Sequence, residues 1–306
     1  MAASDVTEDR NYTGLCSTGL YGTYQKILYS TVNSTLAVIA IFGNALIVAA
    51  LQKVSSLRPP SKLLLGCLAT TDLCVGLITQ PIHTSFLASP EDSKVYYYLN
   101  LLFNSLAVIF GGVSLFTLTA ISVDRLLALL SGLRYRQVVT LRRAWMLVAA
   151  VWLFSLGVAL MFFLNFRITL SIISIAMFFC VVTSIVCNTK IYLTLRHHQA
   201  QVQDNIYQGR TNGGETSLNV ERYKKTVSSA LWVQIALGVC YLPYAVVATI
   251  FYSNEMHSQL LELLLEAAVS FVLFNSSLNP FLYCWKMKEV RQAVKFTINQ
   301  LRCFST

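Results

Sequence analysis

The sequence predicts an all-α membrane protein: a seven-transmembrane helix bundle followed by a short amphipathic cytoplasmic helix 8. Three observations carry that prediction, namely an apolar composition, seven long apolar runs and a lopsided distribution of basic residues. Hydrophobic residues make up 55% of the 306 and charged residues only 12%, with a mean hydropathy of +0.59. A soluble domain of this length has no use for so much apolar surface. Crossing about 30 Å of hydrocarbon takes roughly 20 mostly apolar helical residues. Windows at about 27–51, 62–87, 96–122, 144–164, 168–195, 227–252 and 260–285 meet that requirement. Helices follow because unpaired backbone groups are too costly in lipid. A transmembrane β-barrel would alternate in short segments and would lack continuous runs such as Leu147 to Leu164.

Taken in order, residues 1–26 form an extracellular amino-terminal tail, 27–285 the seven-span domain, and 286–306 helix 8 with the carboxyl-terminal tail. The first ten residues are polar and acidic, without the basic and apolar regions of a cleaved signal, so the first span serves as its own insertion signal. Asn11-Tyr12-Thr13 is a glycosylation acceptor; Asn33-Ser34-Thr35 matches the pattern but lies too close to the membrane to serve. With the amino terminus outside, only Arg10, Lys26, Lys94 and Arg167 of the 23 basic residues fall on the outer side. Cytoplasmic loops retain Lys and Arg, which sets this orientation and places the carboxyl terminus inside. The net charge of +9 is then a topology signal plus attraction to anionic membrane lipids, and needs no nucleic acid. The segment between spans five and six, His197 to Thr226, is polar and contains Asn212-Gly213-Gly214, a flexible loop. By contrast, only Asn165, Phe166 and Arg167 separate spans four and five, so no hairpin lids the outer face. Pro243 and Pro280 lie inside spans six and seven, where each removes a backbone hydrogen bond and introduces a kink. After Trp285, apolar Met287, Val290, Val294 and Ile298 recur at helical spacing, which suits a helix on the inner surface. Cys303 follows it, as an S-palmitoylation site or a free thiol. Of eight cysteines only Cys16 is extracellular, so no intrachain outer disulfide forms.

The chemistry concentrates in the few polar residues inside the spans. A mid-membrane aspartate is expensive unless it faces partners, which makes Asp72 a functional candidate. Asn44, Ser114, Asn275 and Asn279 either hydrogen-bond to it as structural glue or join it in binding a cation. At the inner end of span three, Asp124 and Arg125 form a pair that is either closed or released to new acceptors. The buried charges reduce to these three residues, too few for a polar transport path. No nucleophile-base pair or metal-ligand spacing within reach of one pocket suggests an enzyme. His83 and His257 lie near the outer span ends as candidate pH-sensitive groups or solvated interfacial residues.

These residues spell a recognisable series. It runs Gly43-Asn44, Leu68-Ala69-Thr70-Thr71-Asp72, Asp124-Arg125-Leu126, Trp152, Tyr192, Cys240-Tyr241-Leu242-Pro243 and Asn279-Pro280-Phe281-Leu282-Tyr283, one motif per span in the right order. Over nearly its full length the chain resembles the rhodopsin-like (class A) G-protein-coupled receptors. The resemblance implies a plasma-membrane receptor that passes binding of an extracellular ligand to a heterotrimeric G protein. The rival readings are an atypical receptor that does not couple, or a transporter or channel. No cofactor is implied beyond a bound Na+ at Asp72, Ser114, Asn275 and Asn279, linked in similar receptors to the inactive state. Arg125 would swing towards Tyr192 and Tyr283 on activation and face the G protein. Two departures, Leu126 in place of the usual tyrosine and Tyr223 in place of an acidic partner on span six, imply a loosely latched inactive state with measurable ligand-free signalling. Tyr241 stands where the family has a tryptophan below the ligand.

The resemblance narrows the ligand mainly by exclusion. The amine-pairing aspartate of span three is Ala107 here, and the retinal lysine of span seven is Leu273. The usual outer disulfide is absent, with Asn100 in the cysteine position, and Ser184 replaces the span-five proline, both features similar to melanocortin receptors. The acidic cluster of those receptors is missing, however, with Ile82, Asn100 and Asn104 in its place. The Cys-x-Leu-Pro pattern of span six is similar to adenosine receptors, although Ala248 replaces their purine-holding asparagine. Small-molecule, lipid and peptide ligands all stay open. By helical position the outer pocket holds Phe103, Asn104, Ala107, Phe110, Gly111, Tyr241, Tyr244, Ala248, Phe251 and Phe274, a lining for a small apolar or weakly polar molecule that enters laterally.

Overall fold

Pro59 and Pro60 show how this chain starts a span: the residue before them, Arg58, is extended, and proline at the first helical positions loses nothing because those N–H groups have no acceptor. The computed structural model describes residues 5–54, 57–207, 238–253, 258–286 and 288–304. Side chains are described within 22–54, 57–201, 238–253, 258–285 and 290–300, apart from 133, 166, 198 and 199. The helices are α1 Asp5–Lys53, α2 Pro59–Cys74, α3 Gln80–Ala88, α4 Lys94–Leu130, α5 Tyr135–Val138, α6 Leu141–Leu164, α7 Phe166–Tyr207, α9 Gln259–Lys286 and α10 Lys288–Phe304, with α8 at Gly238–Ser253. Among the described residues there is no strand.

Five of these helices, and α2 with α3 taken as one span, are long and apolar enough to cross a membrane; α8 is the described part of the remaining span, whose residues 227–237 lie outside the described residues. Helix α1 continues through the expected tail as far as Asp5. The second span is not one uniform helix. A π turn, Val75–Thr79, joins α2 to α3. Pro81 explains it, since its ring crowds the carbonyl four residues earlier and it has no N–H to close a normal turn. Caps set the other boundaries: Ser93 Oγ accepts from the Tyr96 N–H at 3.0 Å, and Thr140 Oγ1 from the Arg143 N–H at 3.4 Å. Gly132, with φ of +47°, supplies the left-handed residue that turns the chain after α4.

Packing centres on the middle and one end of the bundle, where Ile47, Leu65, Leu68, Leu115, Leu118, Met177, Val181, Cys240 and Tyr241 form a continuous apolar cluster. Helices α1 and α9 approach so closely that a Cβ on Gly43 would come within 2.8 Å of the Pro280 ring. Small residues permit such contact in lipid, where dispersion and hydrogen bonds replace the hydrophobic effect between helices. Helix α6 lies at the edge of the bundle, burying only Ala144, Ser155, Val158 and Ala159. Helix α10 docks Val290 and Val294 against the bundle, and Lys53 from α1 bonds to Gln300 and sits 5.2 Å from the Phe296 ring centre.

Candidate functional site

A cavity of ≈ 120 Å³ opens between α4, α6, α7, α8 and α9. Its wall is mostly apolar, and its polar groups are Asn104, Ser155, Tyr241 and Tyr244. Ser155 Oγ is buried without a hydrogen-bond partner, so the wall retains an unspent polar group. Asn104 is already occupied, donating to the Asn100 carbonyl at 2.8 Å and to its side-chain oxygen at 2.7 Å. A second, apolar groove between α7 and α8 shares Met177 and Tyr241 with the cavity. Phe178, Leu242, Val246 and Ile250 on that groove are exposed.

Tyr241 connects the cavity to the buried charge. Its hydroxyl accepts from Asn275 Nδ2 at 3.4 Å, and one helical turn further along α9 Asn279 Nδ2 donates to Asp72 Oδ2 at 2.7 Å. The other carboxylate oxygen accepts from Ser114 Oγ at 3.1 Å, itself 3.0 Å from Thr71 Oγ1. Asp72 is fully buried. Asn44 stands beside this cluster: its amide donates to the Ala40 and Ser276 carbonyls, both at 2.9 Å, while its Oδ1 is buried and unpartnered. Of the four residues expected to surround the charge, Ser114 and Asn279 touch it, Asn275 turns to Tyr241, and Asn44 braces α1 against α9.

At the other end of the bundle the Asp124-Arg125 pair is open. Asp124 is buried and accepts from Ser61 Oγ at 2.8 Å and Tyr135 Oη at 2.5 Å. Arg125 is exposed and makes no ion pair or hydrogen bond with a described residue. Burial, and then the bond to Asp124, push the Tyr135 phenol above its ordinary pKa, so it stays a donor. The Arg58 guanidinium covers its ring at 4.4 Å. Tyr283 is buried with its hydroxyl unpartnered, and Tyr192 is exposed. Tyr223 lies outside the described residues.

The model of the 7 transmembrane receptor (rhodopsin family) matches residues 43–170 and 165–283 of this chain. The chain belongs to that family. The receptor is similar to adenosine receptor A3 of Ovis aries, 24% identical over 290 residues that cover 88% of this chain and 89% of the relative. Adenosine receptor A3 of Canis lupus familiaris is 25% identical over 289 residues, covering 87% and 89%. Melanocortin receptor 5 of Homo sapiens is 26% identical over 274 residues, covering 85% and 81%. Membership makes the protein a multi-pass G-protein-coupled receptor and not an enzyme.

Six of the ten residues placed in the receptor's pocket by helical position line the cavity: Phe103, Asn104, Ala107, Gly111, Tyr241 and Tyr244. Four do not. Phe110 meets Trp152 edge-on at 6.2 Å, Ala248 is buried, Phe251 packs on Tyr252 at 5.1 Å, and Phe274 joins the apolar cluster. The sequence reading missed Phe154, Ser155 and Val158 of α6 and Ile172, Ala176 and Met177 of α7. Only the short link at Asn165 signals that these two helices stay close enough to wall one cavity.

One other expectation changes. His83 is fully buried, not solvated, with its Nε2 3.2 Å from Oε2 of Glu266, a partly buried carboxylate. Asn33 is fully buried as well. The side chains of Asn11, Cys16 and Cys303 and the whole of His257 lie outside the described residues. The described cysteines are free.

Proposed function

We propose that this receptor stands in the plasma membrane with its amino terminus outside and its carboxyl terminus in the cytoplasm, and that a small apolar or weakly polar ligand in the cavity drives a heterotrimeric G protein. One observation carries the reading. A continuous chain of contacts runs from the cavity wall at Tyr241 through Asn275 and the α9 turn to Asn279 and Asp72. A ligand that repositions Tyr241 acts directly on the one turn of α9 that holds the buried carboxylate. The cavity is small beside the about 300–1,000 Å³ of drug-sized sites. The shared wall of the lipid-facing groove favours entry from the bilayer between α7 and α8. The orientation rests on the basic residues gathered on the side of Arg134, Arg142, Arg143 and α10.

Coupling is assigned to Arg125, with Tyr192, Tyr283 and the kinks at Pro243 and Pro280 letting the inner ends rearrange. Because Arg125 is already free of Asp124, the resting receptor signals measurably without ligand. Arg125→Ala is expected to abolish G-protein activation while surface expression persists; normal nucleotide exchange in that variant would remove the assigned role.

Sodium fits the residues around Asp72. One carboxylate, the Ser114 hydroxyl and the unpartnered Asn44 Oδ1 supply the hard oxygen donors such an ion takes, and their burial excludes bulk water. When bound, the ion would neutralise the carboxylate and favour the resting arrangement. Asp72→Asn is therefore expected to flatten the dependence of basal signalling on NaCl against a choline chloride control, and an unchanged response contradicts the site.

A further inference from the structure

The polar groups buried where α1, α3 and α9 meet take no part in the relay to Asp72. His83 is fully buried, with its ring 4.3 Å from that of Phe103. Its Nδ1 lies 3.4 Å from Asn33 Nδ2, which also donates to Ser270 Oγ at 3.2 Å. On the ring's other side, Nε2 is 3.2 Å from Glu266 Oε2, whose side chain is 27% exposed. That separation qualifies as an ion-pair contact, yet neither atom has a partner with hydrogen-bond geometry. A hydrogen bond weakens steeply when misaligned, so the two atoms sit close without bonding. Asn33 Oδ1 and both amide atoms of Gln80, one turn earlier on α3, are buried and unpartnered too.

A nitrogen and an oxygen held side by side without bonding each other match the edge of a metal polyhedron. Tetrahedral zinc with bonds of about 2.0–2.1 Å sets neighbouring ligand atoms roughly 3.3 Å apart, close to the 3.2 Å found. We propose that His83 Nε2 and Glu266 Oε2 form a binding site for a borderline-soft dication, with Zn2+ as its best fit. Water enters past the exposed edge of Glu266 and completes the coordination. Imidazole with one carboxylate suits zinc, whereas Ca2+ and Mg2+ prefer all-oxygen sets.

The second shell agrees. Metal on Nε2 leaves the ring proton on Nδ1, where it needs an acceptor. A half-turn of the Asn33 carboxamide delivers one, bringing its unpartnered Oδ1 to Nδ1 in place of Nδ2 with almost no change of shape. The ion would tie α3 to α9 across the bundle. Neither ligand lines the ligand cavity or touches Asp72, so this site stands independently of the reading above.

The test uses the full-length receptor in lipid nanodiscs, with thermal unfolding and radioactive zinc binding as readouts. Zinc chloride across about 1–100 µM is expected to raise the unfolding temperature with about one ion bound per receptor, and calcium or magnesium chloride is not. His83→Ala and Glu266→Gln each remove the shift, while Asn33→Leu keeps it with apparent affinity lowered about tenfold or more. Should His83→Ala fail to fold, Glu266→Gln at its partly exposed position decides alone. No shift in the unaltered receptor overturns the proposal; so does a full shift in the ligand variants, which would place the ion on cysteines or elsewhere.

Discussion

At Asp124 two hydroxyls do the work that an adjacent guanidinium was expected to do. Ser61 and Tyr135 satisfy the buried carboxylate, and Arg125 projects outward instead of folding back onto it. A carboxylate away from bulk water requires donors, and hydroxyls from α2 and α5 reach it without the cost of also burying a guanidinium. The consequence is that the latch on α4 is Tyr135, which ties the α5 segment to the end of the helix. Tyr135→Phe removes one bond to a charged acceptor, worth about 1.5–3 kcal/mol, while the ring keeps its contact with Arg58. The variant is expected to unfold at lower temperature and to show raised basal nucleotide exchange on the G protein. Equal basal exchange in both proteins would mean that Asp124 is structural only. Alkaline pH should leave this bond intact up to and beyond the ordinary tyrosine range, because the raised pKa keeps Tyr135 protonated there.

Among the described elements, α1 and α9 form the most extended seam. Tyr29 donates to the Leu263 carbonyl at 3.1 Å, Ser277 to Leu36 at 2.9 Å and Asn44 to Ser276 at 2.9 Å, so hydrogen bonds run along the whole contact. Gly43 lets the Pro280 ring fit between them. Gly43→Ala forces the helices apart at a rigid ring, an overpacking cost of about 1–3 kcal/mol, and should lower thermal stability and surface expression. Gly66→Ala is the control, since a Cβ there meets nothing within 4 Å; equal losses in both would show that the Pro280 contact is not what makes Gly43 special. These elements were legible in the sequence to different degrees. Span lengths and the α10 stripe follow directly from hydropathy, because lipid imposes helix and length together. The π turn was not read, although Pro81 announces it, because a proline specifies a disturbed turn without specifying its kind. His83 and Glu266 were not read as a pair because they lie on different spans, where sequence spacing carries no information on contact. The same limit hid the α6 and α7 side of the cavity.

For the receptor as a whole, the question is how a ligand at one end biases a switch at the other. An equilibrium between two bundle arrangements moves only as far as the ligand's affinities for them differ, and about 100-fold selectivity shifts it by roughly 2.7 kcal/mol. Among the described side-chain hydrogen bonds, Tyr241–Asn275 joins a residue of the cavity wall on α8 to the turn of α9 that carries Asn279. Ligand energy therefore has to be expressed in the cavity itself, and this can be tested before the ligand is known. A Cβ on Gly111 meets nothing within 4 Å, although Gly111 lines the cavity, so the branch point of Gly111→Val starts in ligand space and not against protein. Against whichever compound from a panel of metabolites, lipids and peptides activates the unaltered receptor, this variant is expected to need at least about tenfold more compound, the usual cost of a methyl-sized misfit. Its basal signalling should stay unchanged, because the relay residues are untouched. Gly112→Ala, where the new Cβ would come within 2.8 Å of Ser155 Oγ, should instead rotate that serine and change potency less. Unchanged potency in Gly111→Val would place the ligand outside the cavity and leave Tyr241 with no part in sensing it.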